Sequence, residues 1–303
     1  MARPIGRLLT AMVTPFGADG GVDLATAADL ARRLVAAGSD GVVVNGTTGE
    51  SPTLSGDERL KLLEAVREAL PEHAVVMGTG TYSTAASVAL TREAMQRGAD
   101  AALVVTPYYN KPPQDGLIAH YESIADVGLP VIMYNIPSRC VVNMTAQTQL
   151  RLAEHPNIIG TKESAGDLDQ ATAIIAGAPS DFLVWSGDDS MTVPMLSVGA
   201  YGVVSVAAHV SGAAIRRMID AHVGGDVRQA AALHQQLLPL FKALFTSPNP
   251  MCVKAALEHL GVRVGTARLP LLPLDAAGRA TLGALLDGLG DLVGLPQLAA
   301  ATA

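Results

Sequence analysis

Eight short runs rich in Val, Ile and Leu recur along the first two thirds of the chain at a nearly constant interval. The runs begin at Leu8, Gly41, Ala74, Ala101, Pro130, Asn157, Phe182 and Tyr201. Successive runs start about 28 residues apart, which accommodates one strand, one helix and two loops. Within each run the apolar residues are continuous rather than alternating, which is typical of parallel strands covered by helices.

The segments between the runs have apolar residues at helical spacing. Helices are predicted over residues 24–37, 55–70, 84–97, 115–126, 145–154 and 167–178. Ser55 and Glu58 form a capping box at the start of the second helix, and Gly38 and Gly98 are suited to end the first and third. Repeated strand–helix units of this kind predict an α/β fold, a closed (β/α)8 TIM barrel.

The alternative is an open, doubly wound sheet. Such a sheet usually carries a GxGxxG turn after its first strand, whereas this chain has Thr14-Pro15-Phe16 there. The strand pattern stops near Gly225. We therefore predict that residues 1–224 form the barrel and carry the active site, and that residues 225–303 form a C-terminal helical domain with helices over 226–245, 250–259 and 276–292.

Composition and charge exclude several classes of partner. The chain has 21 Lys and Arg against 28 Asp and Glu, and only 4% aromatic residues, so no nucleic-acid partner is expected. Residues 191–215 contain no Asp, Glu, Lys or Arg, but their proline and glycines favour a short helix, a buried strand and a turn over a membrane span. No secretory signal is recognised, and Cys140 and Cys252 show no paired spacing, so a cytoplasmic location is expected.

In a barrel, functional side chains lie just beyond the carboxyl ends of the strands. These segments are rich in hydroxyl and phenol groups here, with one lysine and one arginine; they are residues 45–51, 106–110, 134–139, 161–164 and 186–189. Lys162 follows the sixth strand directly and is expected to point into the barrel mouth. A buried lysine loses its proton readily and can become a Schiff-base nucleophile. The other interpretation is a structural lysine paired with Glu163 or another acid.

The remaining lysines have simpler interpretations. Lys61, Lys242 and Lys254 lie on predicted helices and are expected to be solvated, and Lys111 lies in a polar loop. The seven histidines show no ligand spacing, so a zinc-dependent enzyme is not expected. Asp188 and Asp189 are interpreted as helix-capping residues rather than as metal ligands.

The turn at residues 46–49 offers two hydroxyls and flexible backbone amides. Successive backbone N–H groups can form a concave site for an anion, so this turn suits a small carboxylate. An ordinary tight strand-to-helix turn is the alternative.

Taken in order, GTTGES at 46–51, TPYYNKP at 106–112, YNIPSR at 134–139, TKES at 161–164 and SGDD at 186–189 closely resemble the motifs of the dihydrodipicolinate synthase / N-acetylneuraminate lyase family of class I aldolases. The likeness continues through NPMCVKAAL from Asn249 and ARLPLLPL from Ala267. The resemblance implies a lyase in which pyruvate forms an imine with Lys162, so that neither a metal nor an organic cofactor is needed. The derived enamine would then attack L-aspartate 4-semialdehyde to give 4-hydroxy-tetrahydrodipicolinate, in lysine and diaminopimelate biosynthesis.

The resemblance also implies roles for other residues. Tyr134 would be the general acid and base beside Lys162, and Thr47 and Tyr109 would complete a hydroxyl relay, with Tyr109 supplied by a neighbouring subunit. Thr48 would hold the pyruvate carboxylate, Arg139 the carboxylate of the semialdehyde, and the backbone at Gly187 and Val204 would line the site. A homotetramer built from tight dimers is implied as well.

The chain departs from the family pattern in two places. Cys140-Val141 stands where Thr-Gly is common, which leaves open a related aldolase that takes a sugar-acid-derived or other aldehyde as acceptor. In relatives inhibited by lysine, the positions of Tyr82 and Ala86 hold an asparagine and a glutamate, and that of Arg59 a histidine, while Tyr108 matches. Feedback inhibition by lysine is therefore predicted to be weak or absent. A catalytically silent barrel is hard to reconcile with the presence of Lys162, Tyr134, Thr47 and Tyr109.

Overall fold

A computed structural model describes residues 5–297, and its centre is a closed barrel of eight parallel strands in sequence order. The strands are Leu8–Ala11 (β1), Gly41–Val44 (β2), Ala74–Gly78 (β3), Ala101–Val105 (β4), Val131–Asn135 (β5), Ile158–Glu163 (β6), Leu183–Ser186 (β7) and Gly202–Ser205 (β8). Leu9 pairs with Gly41 on one side and with Val204 on the other, which closes the sheet. The predicted TIM barrel is confirmed.

Helices follow the strands and continue beyond the last one. They are Leu24–Ala36 (α1), Gly56–Ala69 (α2), Thr84–Gln96 (α3), Gln114–Ala125 (α4), Pro137–Cys140 (α5), Ala146–Leu152 (α6), Leu168–Gly177 (α7), Thr192–Ser197 (α8), Ala208–Val223 (α9), Val227–Ala243 (α10), Met251–His259 (α11) and Ala276–Gly288 (α12). The predicted capping box is present, because Ser55 accepts from the Glu58 amide and Glu58 accepts from the Ser55 amide. Gly38 and Gly98 have positive φ directly after α1 and α3, as helix-ending glycines do.

One prediction about secondary structure was wrong. The stretch after β8 was expected to be a turn, but the structure has α9 from Ala208 onward. Its first two turns are almost entirely buried, so apart from His209 they carry small or apolar residues on every side and lack the amphipathic pattern that identifies a surface helix.

The strands place their side chains in two layers. Leu9, Val43, Val76, Ile132 and Trp185 fill the barrel interior. Residues on the opposite face of the strands, such as Leu8 and Val42, pack against the surrounding helices. Because both faces are covered by apolar groups, the strands have the continuous apolar sequences from which they were predicted.

The helices after residue 225 pack on the barrel through α9. Leu237, Leu240 and Phe241 of α10 belong to the same apolar cluster as Ile215 and Met218 of α9. The division into a barrel at 1–224 and a helical domain at 225–303 stays a prediction, and its outermost residues, 1–4 and 298–303, lie outside the described residues. Within residues 5–297, none of the helices combines the length and the apolar character that crossing a membrane requires.

Candidate active site

A lysine and a tyrosine meet at the carboxyl end of the barrel. Lys162 is the fifth residue of β6 and pairs in register with Tyr134 on β5 and with Trp185 on β7. Its side chain is 5% exposed, and its Nζ lies 4.2 Å from the centroid of the Tyr134 ring. Two residues on separate sequence motifs are thus in direct contact.

The surroundings of Lys162 favour its neutral amine. Burial lowers the pKa of Lys162 to about 8; the charge of Asp189 opposes this shift, and that of Arg139 adds to it. Asp189 is itself buried and accepts hydrogen bonds from the Ser205 hydroxyl and from the Val206 and Ala207 amides. At neutral pH about one Lys162 amine in ten is therefore unprotonated and able to act as a nucleophile.

Tyr134 keeps its proton at neutral pH. Burial raises the pKa of Tyr134 to about 12, while the charge of Arg139 and the hydroxyls of Thr47 and Ser164 pull it down. The protonated phenol can donate to a reacting atom, and the neighbouring hydroxyls can exchange protons with it. Thr47, which lies in the turn after β2, is thereby brought to the same site as Lys162 and Tyr134.

The structural interpretation of Lys162, an ion pair with Glu163 or another acid, does not match the described residues. Successive residues of a strand point to opposite faces of the sheet, and the Glu163 carboxylate lies on the helix-facing side. There it accepts from the side-chain amides of Asn135 and Gln149, with Gln149 Nε2 at 2.7 Å, and from the Ala165 backbone amide. Within residues 5–297, Lys162 forms no ion pair with a carboxylate, and the Asp189 charge acts on it only from a distance.

Gly187 leaves the room that the lysine side chain occupies. A Cβ built at this position would lie 2.8 Å from Lys162 Cε and would also overlap the Ser164 hydroxyl. Its backbone N–H donates to Glu163 O at 2.9 Å, which fixes the chain beside β6. Val204 on β8 is buried and belongs to the same interior cluster as Tyr134.

The turn at residues 46–49 is closed and anchored by hydrogen bonds. The Glu50 and Ser51 amides donate to Thr47 O and Gly46 O, and the Thr14 hydroxyl donates to Gly49 O at 2.6 Å. Thr48 is buried, and its Oγ1 accepts a hydrogen bond from Asn249 Nδ2 at 2.8 Å.

Asn249 is a contact that sequence reasoning missed. It lies just before α11, 201 residues away from Thr48 along the chain. The only signal for it was its place at the start of the run NPMCVKAAL, and that run gave no indication of its partner.

Lys254 was predicted to be solvated, and this was wrong. The side chain is 4% exposed, its Nζ lies 2.8 Å from Glu50 Oε1, and it also stands 4.3 Å above the centroid of the Phe16 ring. Helix α11 is buried continuously from Cys252 to Leu257, so it has no solvated face at this position. Lys61 and Lys242 are exposed, as expected.

Arg139 and Val141 lie at the short helix α5 beside the site. Arg139 is exposed, and its guanidinium has no hydrogen-bond or ion-pair partner within residues 5–297, although its charge acts on both Tyr134 and Lys162. Val141 ends the helix with φ at +66°, a left-handed conformation that glycine adopts without strain and β-branched residues rarely take.

Tyr109 is the predicted site residue that the structure does not bring to the others. It has φ at +75° and is 91% exposed, so its ring stands away from the body of its own chain. Within a single chain, Lys162, Tyr134 and Thr47 meet without it.

No group of three His, Cys, Asp or Glu side chains within residues 5–297 is arranged to hold a metal ion. Asp188 caps the short 3-10 helix at Asp189–Met191 by accepting from the Ser190 amide at 2.8 Å. This is the capping interpretation made from the sequence. The other side chain of the pair, Asp189, holds the segment after β8 as described above.

Comparison with known proteins gives one consistent result. Residues 4–289 match the dihydrodipicolinate synthetase family. The 4-hydroxy-tetrahydrodipicolinate synthase of Moorella thermoacetica is 54% identical over 289 residues, which is 95% of this chain and 99% of that protein.

Solved structures give the same picture. The dihydrodipicolinate synthase of Cyanidioschyzon merolae, solved with lysine bound, superposes with a TM-score of 0.93 at 43% identity, covering 94% of this chain and 98% of that one. The chloride-inhibited enzyme of Acinetobacter baumannii, complexed with pyruvate, gives a TM-score of 0.92 at 38% identity, covering 95% of this chain and 99% of that one.

Proposed function

The chain belongs to the dihydrodipicolinate synthetase family, and we propose that it is a lyase that condenses pyruvate with L-aspartate 4-semialdehyde to 4-hydroxy-tetrahydrodipicolinate, in lysine and diaminopimelate biosynthesis. Relatives that are 51–55% identical over nearly their whole length carry the name of that synthase. The observation that carries the proposal is the Lys162 amine, buried at the barrel mouth against the Tyr134 ring with a pKa of about 8.

In the first step the neutral amine of Lys162 attacks the C2 carbonyl of pyruvate. The C–N bond forms, the carbonyl oxygen leaves as water, and a protonated imine remains on the lysine. This cation draws electrons from the neighbouring methyl group, which loses a proton to give the enamine. The lysine thus supplies the electron sink, and the reaction needs no further cofactor.

The protons are carried by hydroxyl groups. Tyr134 donates to the departing oxygen and accepts from the methyl group, because it is the phenol next to the Lys162 amine. Thr47 continues the relay, and the geometry that supports this is its closeness to the Tyr134 hydroxyl. Tyr109 completes the relay from a neighbouring subunit, a role in keeping with its exposure in the single chain.

Two groups hold the carboxylates. Thr48, at the turn after β2, binds the carboxylate of pyruvate, and Gly187 and Val204 line the site around the imine. Arg139 binds the carboxylate of the semialdehyde, and support for this comes from its free planar donor fork at the edge of the site. The enamine carbon then attacks the aldehyde, and cyclisation through the amino group of the semialdehyde releases Lys162.

The proposal extends to the setting of the enzyme. The chain forms a homotetramer of tight dimers in the cytoplasm, its barrel at 1–224 carries the chemistry, and a C-terminal helical domain at 225–303 supports it. Lysine inhibits the enzyme weakly or not at all, because Ala86 offers no carboxylate to the ammonium group of lysine.

Borohydride trapping tests the chemistry. Incubation with pyruvate and sodium borohydride, followed by peptide mass analysis, is expected to find the reduced adduct on Lys162, and Lys162→Met is expected to give none. An active enzyme with an unmodified Lys162 would refute the mechanism. Turnover of pyruvate with L-aspartate 4-semialdehyde, compared with sugar-acid-derived aldehydes, tests the acceptor; faster turnover of a sugar aldehyde would refute the substrate but not the imine.

A further inference from the structure

The hydroxyl of Thr48 has a partner from the C-terminal helices. Asn249, in the segment between α10 and α11, is 7% exposed and directs its Nδ2 at Thr48 Oγ1 over 2.8 Å. Among residues 5–297 this is the one hydrogen bond that the Thr48 side chain makes, so its O–H proton is committed to no protein acceptor.

The direction of this hydrogen bond matters because a hydroxyl carries a single proton. When Thr48 accepts from the Asn249 amide, its proton remains available for a third group. When Thr48 instead donates to the amide oxygen, the proton is used and the hydroxyl can no longer donate to an anion. Asn249 therefore determines whether the turn at residues 46–49 offers a donor or only lone pairs.

The segment that carries Asn249 is held in place by a second contact, with the residue that directly follows the turn at 46–49. Lys254, five residues further on, forms its buried ion pair with Glu50. The Glu50 carboxylate also accepts from the Arg268 backbone amide at 2.8 Å. Asn249 and Lys254, before and within α11, thus contact Thr48 and Glu50 respectively. The two contacts keep the Asn249 amide within hydrogen-bond distance of Thr48.

We propose that Asn249 is a positioning residue for pyruvate binding: its side-chain amide donates to Thr48 Oγ1 and so directs the Thr48 proton at the carboxylate of the substrate. The inference rests on the proposed function, because it needs Thr48 to bind pyruvate. It adds a contribution of the C-terminal helical region to the active site, made through Thr48 rather than through contact with the reacting atoms.

The primary test compares Asn249→Asp with Asn249→Ala. Aspartate has the same shape as asparagine but only accepts, so it takes the Thr48 proton; alanine leaves the hydroxyl free to rotate. We expect Asn249→Asp to raise the pyruvate KM roughly 10- to 100-fold, the range for a lost hydrogen bond to a charged group, and Asn249→Ala to raise it less. The kcat at saturating pyruvate is expected to change far less than KM in both variants.

A purely structural role gives the opposite order. The isosteric aspartate would then be tolerated better than alanine, and the melting temperature would fall in the same variants that lose activity. Asn157→Asp is the matched control: Asn157 donates to Ala125 O just before β6, at the far end of the barrel, so its change is chemically identical and should leave the pyruvate KM unaltered. An Asn249→Ala enzyme that binds pyruvate no better than Asn249→Asp would overturn the proposal.

Charge repulsion between the introduced aspartate and pyruvate is separated from positioning by a double-mutant cycle, so Asn249→Asp is repeated in a Thr48→Val background. If the aspartate acts through the Thr48 proton, its effect on KM shrinks severalfold once the hydroxyl is gone. An unchanged effect in that background means repulsion alone and refutes the positioning role. Borohydride trapping on the wild-type enzyme keeps the two proposals distinct. If no adduct forms on Lys162, the proposed function is refuted. If the adduct forms normally but the effects of Asn249→Asp and Thr48→Val on KM are additive, only this inference is refuted.

Discussion

At the scale of single residues, the protonation of Lys162 makes the pH dependence of the first step predictable. Its pKa of about 8, lowered from 10.5 chiefly by burial, means that the neutral fraction rises about tenfold per pH unit below about pH 7, reaches about one half at pH 8 and then levels off. We expect the rate of borohydride-trapped imine formation at low pyruvate to follow this curve.

The same experiment with Arg139→Gln tests the contribution of a neighbouring charge. Removing the guanidinium removes one cause of the lowered pKa of Lys162, so the plateau should move to higher pH. Arg151→Gln, on the outer helix α6, is the control and should leave the curve in place. A wild-type rate that still rises steeply between pH 9 and 10 would show that Lys162 has an ordinary pKa.

Gly187 provides a second prediction at this scale. Gly187→Ala puts a methyl group 2.8 Å from Lys162 Cε, so the lysine side chain must move. Since a displacement of about 1 Å at a reacting group costs about a hundredfold in rate, we expect kcat/KM to fall by at least that factor while the protein remains folded. Gly56→Ala at the start of α2, where a Cβ meets nothing within 4 Å, should retain full activity.

The site residues differ in how far sequence could reveal them. Lys162 and Tyr134 were predictable because each lies near the carboxyl end of an apolar strand, and closing the sheet brings these ends together. Asn249 and Lys254 were not predictable, since their partners Thr48 and Glu50 lie about 200 residues away and no local pattern encodes that contact.

At the scale of secondary-structure elements, the short helix α5 carries a strained residue at its end. Val141 has φ at +66°, a conformation that costs a residue with a Cβ about 1–2 kcal/mol. A glycine would avoid this cost but would lose about 0.5–1 kcal/mol more in backbone entropy on folding. We expect Val141→Gly to raise the free energy of unfolding by about 1 kcal/mol in urea denaturation.

The neighbouring residue is the control for Val141. Val142 has no positive φ and packs against the apolar core, so Val142→Gly should be destabilising. If Val141→Gly lowers stability as Val142→Gly does, the strain is absent.

The elements themselves were largely predictable. All eight strands follow from continuous runs rich in apolar residues, because a strand buried on both faces has no polar face. The capping box at Ser55 located the start of α2 for a similarly local reason. The first part of α9 escaped prediction because its burial on every side removes the periodic contrast between apolar and polar residues.

At the scale of the whole molecule, the ion pair between Lys254 and Glu50 joins the C-terminal helices to the barrel. Both side chains are almost fully buried, so Lys254→Ala leaves a carboxylate without its charged partner and should cost about 3–5 kcal/mol of stability. The double variant Lys254→Met with Glu50→Gln removes both charges and should be less destabilising than the single one. If Lys254→Ala lowers the free energy of unfolding less than the double variant does, the two charges do not stabilise each other.

The exposure of Tyr109 predicts how activity depends on assembly. Tyr109→Phe and Lys162→Met are each expected to be nearly inactive. When the two are unfolded and refolded together, half of the dimers are mixed and one site in each has both groups, so about a quarter of wild-type activity should return. No recovery in confirmed mixed dimers would mean that Tyr109 acts within its own chain or not at all.

The closure of the barrel also has a consequence during translation. Leu9 finds its second neighbour, Val204, only after nearly two hundred further residues have been made, so the emerging polypeptide carries an incomplete sheet with two open edges for most of its time on the ribosome. We therefore expect the unfinished chain to be prone to edge-to-edge association until its final strand is made, and a premature stop before β8 to give an aggregating product rather than a smaller enzyme.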